Sequence, residues 1–239
     1  MLCVCGFVLG GAQIDPQPAL SNAVTSAIGQ LALAQAAEPT ASGGQLRING
    51  RLVNGAWQQR RELVGIVDGA IATQLGVDLG STRTPTQQPV TWFAPPNPTR
   101  LTLPAWHYQN SRYLDIAPLV RQYGWQVTTQ GSVLDLQLPA SQIMTLRQGR
   151  QTWGDRLVLD LNQPAGWQVS PAANSITVTV DAAIAEAVIK SFKLVPNNNL
   201  KSVNLSSNAQ RTTLTLTVAN YLHPHVWSLA QPNRLIIDI

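Results

Sequence analysis

Apolar and polar residues alternate along the second half of the chain, from about residue 140 onward. The alternation is most regular at residues 175–180 and 211–218, where Ile, Val or Leu recurs at every second position between Ser and Thr. A period of two places apolar side chains on one face of a strand and polar ones on the other. Further strands are predicted at residues 143–148, 156–161, 166–169, 189–195, 200–206 and 234–239. This pattern predicts an antiparallel β-sandwich with one Thr-lined face in water.

Two of these strands carry the same charged pattern. Arg156-Leu-Val-Leu-Asp160 recurs as Arg234-Leu-Ile-Ile-Asp238. If the two strands pair antiparallel, each arginine faces the aspartate of the other strand, which contributes about 0.2–1 kcal/mol per pair. A parallel register would instead place arginine against arginine. The repeat therefore predicts that these strands are antiparallel neighbours in one sheet.

The first half of the chain combines strand and helix patterns. Residues 45–53 surround Asn49-Gly50, the strongest short signal for a two-residue hairpin turn. Apolar residues then recur at helical spacing over residues 63–75, and Gly76 is placed to end that helix. A short strand is predicted to follow at residues 77–79.

A similar unit follows a proline-rich segment. Residues 80–111 contain six prolines and are predicted to be loop-rich, around one short strand at residues 90–93. Residues 113–124 predict a second helix, with a proline near its first turn and a glycine at its end. A hairpin formed by residues 125–127 and 132–138 is expected next. The two helix–glycine–strand units form a weak internal repeat.

Composition narrows the class of protein. Of the 239 residues 44% are hydrophobic and only 12% are charged, with a net charge of +4. So little charge with ample Val, Leu and Ile excludes a disordered chain and a coiled coil. No run of Lys or Arg is longer than Arg60-Arg61, which disfavours a nucleic-acid-binding protein. No apolar run reaches the roughly 18–20 residues of a membrane helix, and the mild positive charge suits an anionic polymer.

Residues 1–44 are expected to be an export signal or leader outside the fold. No Lys or Arg precedes Arg47, and Ala34-Gln35-Ala36 fits a small-x-small cleavage site, although the positive start of a signal peptide is missing. The alternative is a disordered leader rich in Ala and Gln. Export predicts a periplasmic or secreted protein. Its mature part would lack the two cysteines, Cys3 and Cys5, and with them disulfides and thiol chemistry.

The sequence lacks the motifs of common catalytic sites. It has no nucleophile elbow, phosphate-binding glycine loop or zinc-protease helix motif, and its carboxylates are scattered singly. Catalysis by this chain is therefore not expected, and no cofactor is predicted. His223-Pro224-His225 is a weak metal candidate. A loop with two exposed histidines is the simpler interpretation, because a stable site needs a third ligand.

Tryptophan and nearby arginine residues are the candidate binding groups. An indole ring stacks well on the C–H face of a sugar, and a guanidinium pairs with a carboxylate or a phosphate. Two segments combine both groups with amide side chains, and their candidate glycan-binding residues are Trp57, Arg60, Arg147, Arg150, Trp153 and Arg156. The alternative is that these residues pack at strand edges. Trp125 and Trp167, which begin strands, are expected in the core.

Residues 148–169, with Trp153-Gly154-Asp155-Arg156 at their centre, and the closing residues 232–239 resemble an AMIN-type domain. The marks of that family here are an Arg-led apolar strand that ends in Asp and is followed by a proline and an aromatic residue. The resemblance implies a β-sandwich that binds or localises to peptidoglycan in periplasmic amidases and secretins. Residues 45–138 are similar to the copper amine oxidase N-terminal-like domain, a name that implies no copper.

Together the two parts resemble the N-terminal region of cyanobacterial secreted proteins of the phosphodiester glycosidase or exopolysaccharide biosynthesis type. The resemblance implies an α+β domain at residues 45–139 and an antiparallel β-sandwich domain at residues 140–239. In that family the catalytic domain follows the strand equivalent to residues 234–239, where this sequence stops. No catalytic residue is therefore carried over, and a truncated or split product is expected.

The expected function is a non-catalytic cell-envelope module that binds peptidoglycan or acidic exopolysaccharide and positions a hydrolase domain or partner. Two alternatives remain open. In one, the parent protein hydrolyses sugar phosphodiesters and this chain is its truncated form. In the other, the chain is a protein-interaction module whose terminal strand, residues 234–239, leaves an open sheet edge for a partner.

Overall fold

Eighteen strands and three short helices lie within the described residues, 38–95, 98–219 and 222–239 of a computed structural model. The first nine strands are β1 (Ala41–Ile48), β2 (Arg51–Arg60), β3 (Leu63–Val67), β4 (Asp78–Leu79), β5 (Gln87–Thr91), β6 (Arg100–Tyr108), β7 (Ser111–Asp115), β8 (Gln126–Gln130) and β9 (Val133–Gln137). The other nine are β10 (Ser141–Gln151), β11 (Gly154–Leu161), β12 (Trp167–Ala172), β13 (Ser175–Val180), β14 (Ala182–Ile184), β15 (Leu200–Ser207), β16 (Thr212–Val218), β17 (His225–Ala230) and β18 (Asn233–Asp238). The helices are α1 (Asp68–Leu75), α2 (Ala117–Tyr123) and α3 (Glu186–Ser191). The fold is therefore mostly β, with short helices between strands.

These strands form three sheets. A nine-stranded sheet has the order β4-β5-β6-β7-β3-β2-β1-β9-β8, a five-stranded sheet has the order β14-β10-β11-β18-β17, and a four-stranded sheet has the order β12-β13-β16-β15. Most neighbours are antiparallel, but β1 pairs with β9 and β10 pairs with β14 in parallel. The terminal strand β18 lies between β11 and β17, so the expected open edge at residues 234–239 is wrong and β17 is the edge strand.

Buried apolar side chains form two clusters. The first draws its residues from positions 46–136, and the second from positions 143–239. The second cluster joins the inward side chains of the five-stranded and four-stranded sheets, such as Leu159 and Leu214. Residues 39–239 nevertheless form one compact unit. The division into two domains near residue 140 stays a prediction.

The Asn49-Gly50 hairpin is confirmed. Strands β1 and β2 pair antiparallel with Ile48 opposite Arg51, and the two turn residues have φ angles of 46° and 82°. Positive φ at both central positions defines a type I′ turn, for which Asn-Gly is the preferred dipeptide. The second predicted hairpin, β8 with β9, is also present.

Both helices begin later than the apolar spacing predicts. Residues 63–67 form strand β3 and residues 111–115 form strand β7, and these two strands pair with each other. The helical spacing is misleading at β3, because this segment is rich in β-branched residues. Its packing between the two neighbouring strands outweighs the local preference for a helix. The predicted ends are confirmed, since Gly76 and Gly124 adopt the left-handed conformation with φ angles of 64° and 68°.

One predicted strand is a helix, and three further strands, besides β3 and β7, were not predicted from the sequence. The strand expected at residues 189–195 is wrong, because helix α3 occupies residues 186–191 with Glu186 and Lys190 paired at 2.7 Å. The missed strands are β6, β14 and β17. Strand β6 crosses the segment expected to be loop-rich. Strand β6 pairs with β5 up to Pro104 and with β7 from Ala105 onward. Pro104 therefore lies where the pairing partner changes, a position that tolerates the missing N–H of a proline.

The Arg–Asp repeat pairs as the sequence predicts. Strands β11 and β18 are antiparallel neighbours, with Arg156 opposite Asp238 and Asp160 opposite Arg234. The Nε atom of Arg156 lies 2.6 Å from Asp238, and the Nε atom of Arg234 lies 2.7 Å from Asp160. Charge complementarity thus supports the register of two strands that are far apart in sequence.

Side chains also connect residues before position 140 with residues after it. Arg51 in β2 forms an ion pair of 2.6 Å with the buried Asp181, which pairs on its other oxygen with Arg211 at 3.0 Å. The Nδ2 atom of Asn233 donates to the backbone carbonyl of Phe93 at 2.6 Å. Close to these contacts, residues of α1 and β4 line a groove together with residues of the β17–β18 hairpin.

The predicted leader, its cleavage site, Cys3 and Cys5 lie outside the described residues. Among the residues that are described, the longest helix is α1, with eight residues. No helix in this part of the chain has the length and apolar character needed to cross a membrane.

Candidate functional site

One face of the five-stranded sheet collects charged and aromatic side chains. Side chains that point away from the core lie next to one another across four strands, β10, β11, β18 and β17. Their cross-strand register forms three rows: Gly149, Arg156, Asp238 and His225; Arg147, Val158, Ile236 and Trp227; and Thr145, Asp160, Arg234 and Leu229. We call this surface, together with Trp153 in the β10–β11 turn, the arginine face.

Arg156 is fixed at the centre of the arginine face. Its Nε and Nη2 atoms donate to the two oxygens of Asp238 at 2.6 and 2.9 Å. Its guanidinium carbon lies 5.3 Å from the ring centroid of Trp153 and 5.7 Å from that of Trp227. The hydrogen bond from Arg156 lowers the pKa of Asp238, so this carboxylate stays ionised. The bidentate pair and the two cation–π contacts hold the guanidinium, and with it the Trp153 ring, in place.

Trp153 is open to solvent although its ring is held. Its side chain is 56% exposed, whereas tryptophan normally buries most of its large apolar surface. The indole stands in a turn that immediately precedes β11, close to the Arg156 guanidinium. An aromatic ring that is both positioned and exposed is a suitable platform for a flat, partly apolar ligand.

Asp160 orders two further arginines. Arg234 donates through Nε at 2.7 Å, Arg147 donates through Nε and Nη2 at 3.3 Å, and the Thr145 hydroxyl donates as well. Partial burial acts to raise the pKa of Asp160, but these hydrogen bonds outweigh it and lower the pKa to about 2. Asp160 is therefore charged at neutral and mildly acidic pH, and its role is to orient the arginines.

Arginine N–H groups remain available to a ligand. Among the described residues, Arg234 finds a hydrogen-bond acceptor only for Nε, and Nη1 of Arg147 finds none. The Arg147 side chain is 52% exposed and that of Arg234 is 35% exposed. A guanidinium carries five donors in a planar fork, so each of these two can still bind a carboxylate or a phosphate.

A shallow groove of about 310 Å³ crosses the arginine face. Its lining includes Arg147, Gly149, Arg156, Val158, Trp227, Arg234 and Ile236. The two aliphatic residues of this set are buried and form its floor. A Cβ placed on Gly149 would approach no atom closer than the Gln151 amide nitrogen, at 4.0 Å. The missing side chain at position 149 therefore leaves open space between Arg147 and Arg156.

Trp57 and Arg60 lie away from the arginine face. Trp57 is 1% exposed, and its Nε1 atom donates to the carbonyl of Ser132 at 3.0 Å. Arg60 is buried with its guanidinium carbon 5.6 Å from the ring centroid of Trp106 and 5.1 Å from that of Tyr108. Because both side chains are buried, neither exposes a surface that a glycan could contact. Their positions fit the alternative interpretation, in which they pack inside the protein.

Arg150 lies beside the site but on the other side of the sheet. Side chains alternate along β10, so Arg147 and Gly149 share one face while Arg150 points to the other. Arg150 is exposed, and its neighbour across the β10–β11 strand pair is Asp155. Of the predicted binding residues, the structure thus brings Arg147, Trp153 and Arg156 together and leaves out Trp57, Arg60 and Arg150.

His223 and His225 are exposed at the start of β17. Within the described ranges, no three His, Cys, Asp or Glu side chains are grouped closely enough to hold a metal ion. His225 lies opposite Asp238 in the β17–β18 ladder and so belongs to the edge of the arginine face.

Most residues of the arginine face were not assigned as binding residues from the sequence, among them Arg234, Trp227 and Gly149. Arg234 is visible in the Arg–Asp repeat, but its exposed donors depend on the fold. Trp227 lies on β17, a strand that the alternation does not reveal. Gly149 contributes the open space above its backbone, and no pattern in the neighbouring sequence indicates that space. Trp125 is buried, as expected. Trp167 was expected in the core but is only partly buried where it packs against the second cluster.

The outward face of the four-stranded sheet is uncharged along its two central strands. Hydroxyl groups from β13 and β16 stand side by side there: Ser175, Thr177, Thr179, Thr213, Thr215 and Thr217. This confirms the Thr-lined face that the alternation predicts. The chain therefore presents two different surfaces, one bearing arginine and tryptophan and one bearing only hydroxyl groups on these strands.

Comparison with known proteins gives one informative similarity. No protein-family model matches the chain, and no curated protein matches it. A crystal structure of a hypothetical protein from Synechocystis is similar, with a TM-score of 0.57 and 32% sequence identity. The match covers 84% of this chain and 35% of that chain, so this chain spans about a third of the length of that protein. The name of that protein states no activity.

Proposed function

We propose that this protein is a non-catalytic module of the cell envelope that binds a carboxylate-bearing glycan on the arginine face. The observation that carries the proposal is the exposed Trp153, which contacts Arg156, together with the open groove that Arg156 lines beside arginines with available donors. Such a ring stacks on the C–H face of a sugar. Arg147 and Arg234 would receive the sugar carboxylates through paired N–H donors.

The shape of the groove favours a polymer over a small metabolite. Sites for small molecules usually bury most of the ligand in a deep, largely apolar cleft. Here the groove is shallow and open along the sheet, and its walls are charged. A chain of sugars laid across the strands would contact the indole, the aliphatic floor and the guanidinium groups in turn.

The family resemblance supports the same proposal. We take residues 140–239 as an AMIN-like β-sandwich and residues 45–139 as a copper amine oxidase N-terminal-like domain. AMIN-type domains bind or localise to peptidoglycan, which carries carboxylates, as do acidic exopolysaccharides. The protein would then act in the periplasm or outside the cell. A sugar phosphodiesterase activity would belong to the parent protein of the phosphodiester glycosidase type and not to the residues of this chain.

A second candidate function is supported by strand β17. It has one neighbour, β18, in the five-stranded sheet, and its other side is an edge. An edge strand can pair with a strand from another protein. Dimerisation of the full chain that depends on its concentration would favour this interaction module over the glycan-binding module.

Co-sedimentation of the full chain with purified peptidoglycan sacculi, and in parallel with immobilised polygalacturonate, tests the proposal. We expect pelleting at low salt that weakens at high salt, because screening reduces exposed ion pairs. Trp153→Ala is expected to weaken binding about tenfold, as loss of an aromatic anchor typically does. Arg147→Ala is expected to weaken it two- to fivefold, the range for one exposed ion pair.

Arg150→Ala is the matched control for this experiment, since it removes the same charge from the same strand on the other side of the sheet. We expect it to bind as the unmodified protein does. The relative pelleting with the two polymers distinguishes peptidoglycan from acidic exopolysaccharide as the source of the carboxylates. Absence of pelleting with both polymers, or equal losses in the Arg147 and Arg150 variants, would refute the proposed site.

A further inference from the structure

A second groove, of about 550 Å³, meets the arginine face at Arg234. Part of its lining comes from α1 and β4 in the first half of the chain. The rest comes mainly from residues 164–167 and the β17–β18 hairpin. Leu229 and Arg234 line both grooves, so a ligand chain on the arginine face can continue past Arg234 into the second groove.

Two arginines with available donors line the second groove. Arg51 donates through Nε to Asp181, and Arg234 donates through Nε to Asp160. Within the described residues, the remaining N–H groups of both guanidiniums find no acceptor. The two arginine side chains are 15% and 35% exposed. Each can therefore still donate to a carboxylate in the groove.

The aspartates beside the two grooves do not balance the arginines around them. Asp181 pairs with Arg51 at 2.6 Å and with Arg211 at 3.0 Å. Asp160 is shared in the same way by Arg234 and by a second arginine of the arginine face. One carboxylate neutralises one guanidinium, so a positive charge is left over at each of these two places. A ligand with at least two negative charges suits this arrangement.

The second groove also offers groups that suit a sugar ring. The buried Asn233 is part of its lining, and in the described part of the chain nothing donates a hydrogen bond to the Oδ1 atom of this side chain. A buried carbonyl oxygen without a donor is costly, so it favours a ligand that brings a hydroxyl group. Trp167, which is partly exposed, adds an aromatic ring to the same lining.

We infer that the second groove is a further subsite of the same glycan site, and that the ligand is a polyuronate, a polysaccharide whose sugar rings carry the carboxylates. This inference rests on the proposed glycan-binding function and adds the class of the ligand. One uronate brings a carboxylate for the arginine donors, a hydroxyl for Asn233 and a C–H face for Trp167. In peptidoglycan, by contrast, the carboxylates belong to the peptide stems.

Calorimetric titration of the full chain with oligogalacturonides of increasing length tests this inference. Each galacturonate carries its carboxylate on the sugar ring. We expect the affinity to rise by a further two- to fivefold, about the range for one exposed ion pair, once the oligosaccharide is long enough to pass Arg234. Fully methyl-esterified oligogalacturonides keep the backbone and lose the charges, so they should show no such gain.

Ser228 allows the charge of the second groove to be changed without altering the arginine face. It is exposed, and it lines the second groove but not the groove of the arginine face. Ser228→Glu is expected to abolish the gain with length, because the new carboxylate competes for the arginine donors and repels the ligand. Ser228→Gln is the matched control, with a similar size and no charge, and should keep the gain.

Asp78→Asn has the opposite expected effect. Asp78 is exposed in the lining of the second groove, where its carboxylate repels a polyuronate. Removal of that charge is expected to strengthen the binding of long oligogalacturonides about twofold. Neither the Asp78 nor the Ser228 variants should change the affinity for short oligogalacturonides, which reach only the arginine face.

The outcomes separate this inference from the function on which it rests. Affinity that does not depend on length, with Ser228→Glu silent, overturns the second subsite and leaves glycan binding by the arginine face intact. An equal gain for the methyl-esterified oligosaccharides, or equal losses in the two Ser228 variants, overturns the recognition of a carboxylate there. Stronger pelleting with sacculi than with polygalacturonate overturns the polyuronate. No binding of any oligosaccharide overturns the proposed function itself.

Discussion

Replacement of Asp181 by alanine is expected to lower the free energy of unfolding by about 3 kcal/mol, because a partly buried guanidinium is left without its partner. Only 7% of the Asp181 side chain is exposed, and it pairs with Arg51 at 2.6 Å and Arg211 at 3.0 Å. For a folded part of this size the loss corresponds to a decrease in Tm of about 6–12 °C. Thermal unfolding of the full chain followed by circular dichroism measures it.

Glu186→Ala is the matched control, since it also removes one carboxylate from an ion pair. Its pair with Lys190 is at the surface, with side chains 78% and 74% exposed, and its loss should cost less than about 0.5 kcal/mol. Gly166→Ala tests the same buried pair from another direction, because a Cβ there would collide with the Arg51 guanidinium. Equal stability of the Asp181 and Glu186 variants would show that the Asp181 pair does not hold the two halves together.

Replacement of Gly149 by leucine is expected to abolish detectable glycan binding, a loss of tenfold or more, and to leave the fold intact. The new side chain would fill the groove between Arg147 and Arg156, while a Cβ at this position meets only the Gln151 amide at 4.0 Å. The free energy of unfolding should change by less than about 0.5 kcal/mol, as for other surface substitutions without strain. Titration with polygalacturonate and chemical denaturation measure the two quantities.

Thr215→Leu provides the control for the Gly149 variant. It adds a comparable apolar side chain to the outward face of the four-stranded sheet, among hydroxyl groups. Binding should be unchanged in this variant. Normal binding by Gly149→Leu, or a similar loss in both variants, would show that the ligand does not lie in the groove of the arginine face.

Local signals in the sequence predicted much of the fold. The Asn49-Gly50 turn follows from two adjacent residues whose backbone preferences match a type I′ turn. The left-handed glycines at positions 76 and 124 ended both helices where the sequence indicated. The Arg–Asp repeat even predicted a long-range pairing, since only the antiparallel register of β11 and β18 brings opposite charges together.

Non-local packing accounts for the errors. The helical spacing at residues 63–67 was overruled because β3 is flanked by β2 and β7, strands that the local window does not contain. Trp57 and Trp153 have similar neighbours in sequence, rich in Arg and Gln, yet one is 1% exposed and the other 56% exposed. Burial depends on which sheets cover a residue, and composition cannot reveal that.

The candidate site was predicted in part for the same reason. Arg147, Trp153 and Arg156 come from one hairpin, so a local analysis identifies them together. Trp227 and Arg234 join them only because β18 lies next to β11 and β17 follows β18 in the sheet. Gly149 contributes through the volume it leaves empty, which becomes visible only when the surrounding side chains are placed.

The central claim is that a glycan lies against Trp153 and Trp227, and their indole N–H signals test it most directly. The chain has seven tryptophans, so a ¹⁵N-labelled sample gives seven indole probes in one spectrum. Titration with oligogalacturonides is expected to shift the signals of Trp153 and Trp227. The signals of the buried Trp57, Trp92 and Trp125 should not move. Saturating ligand that leaves both arginine-face signals unchanged would contradict the account.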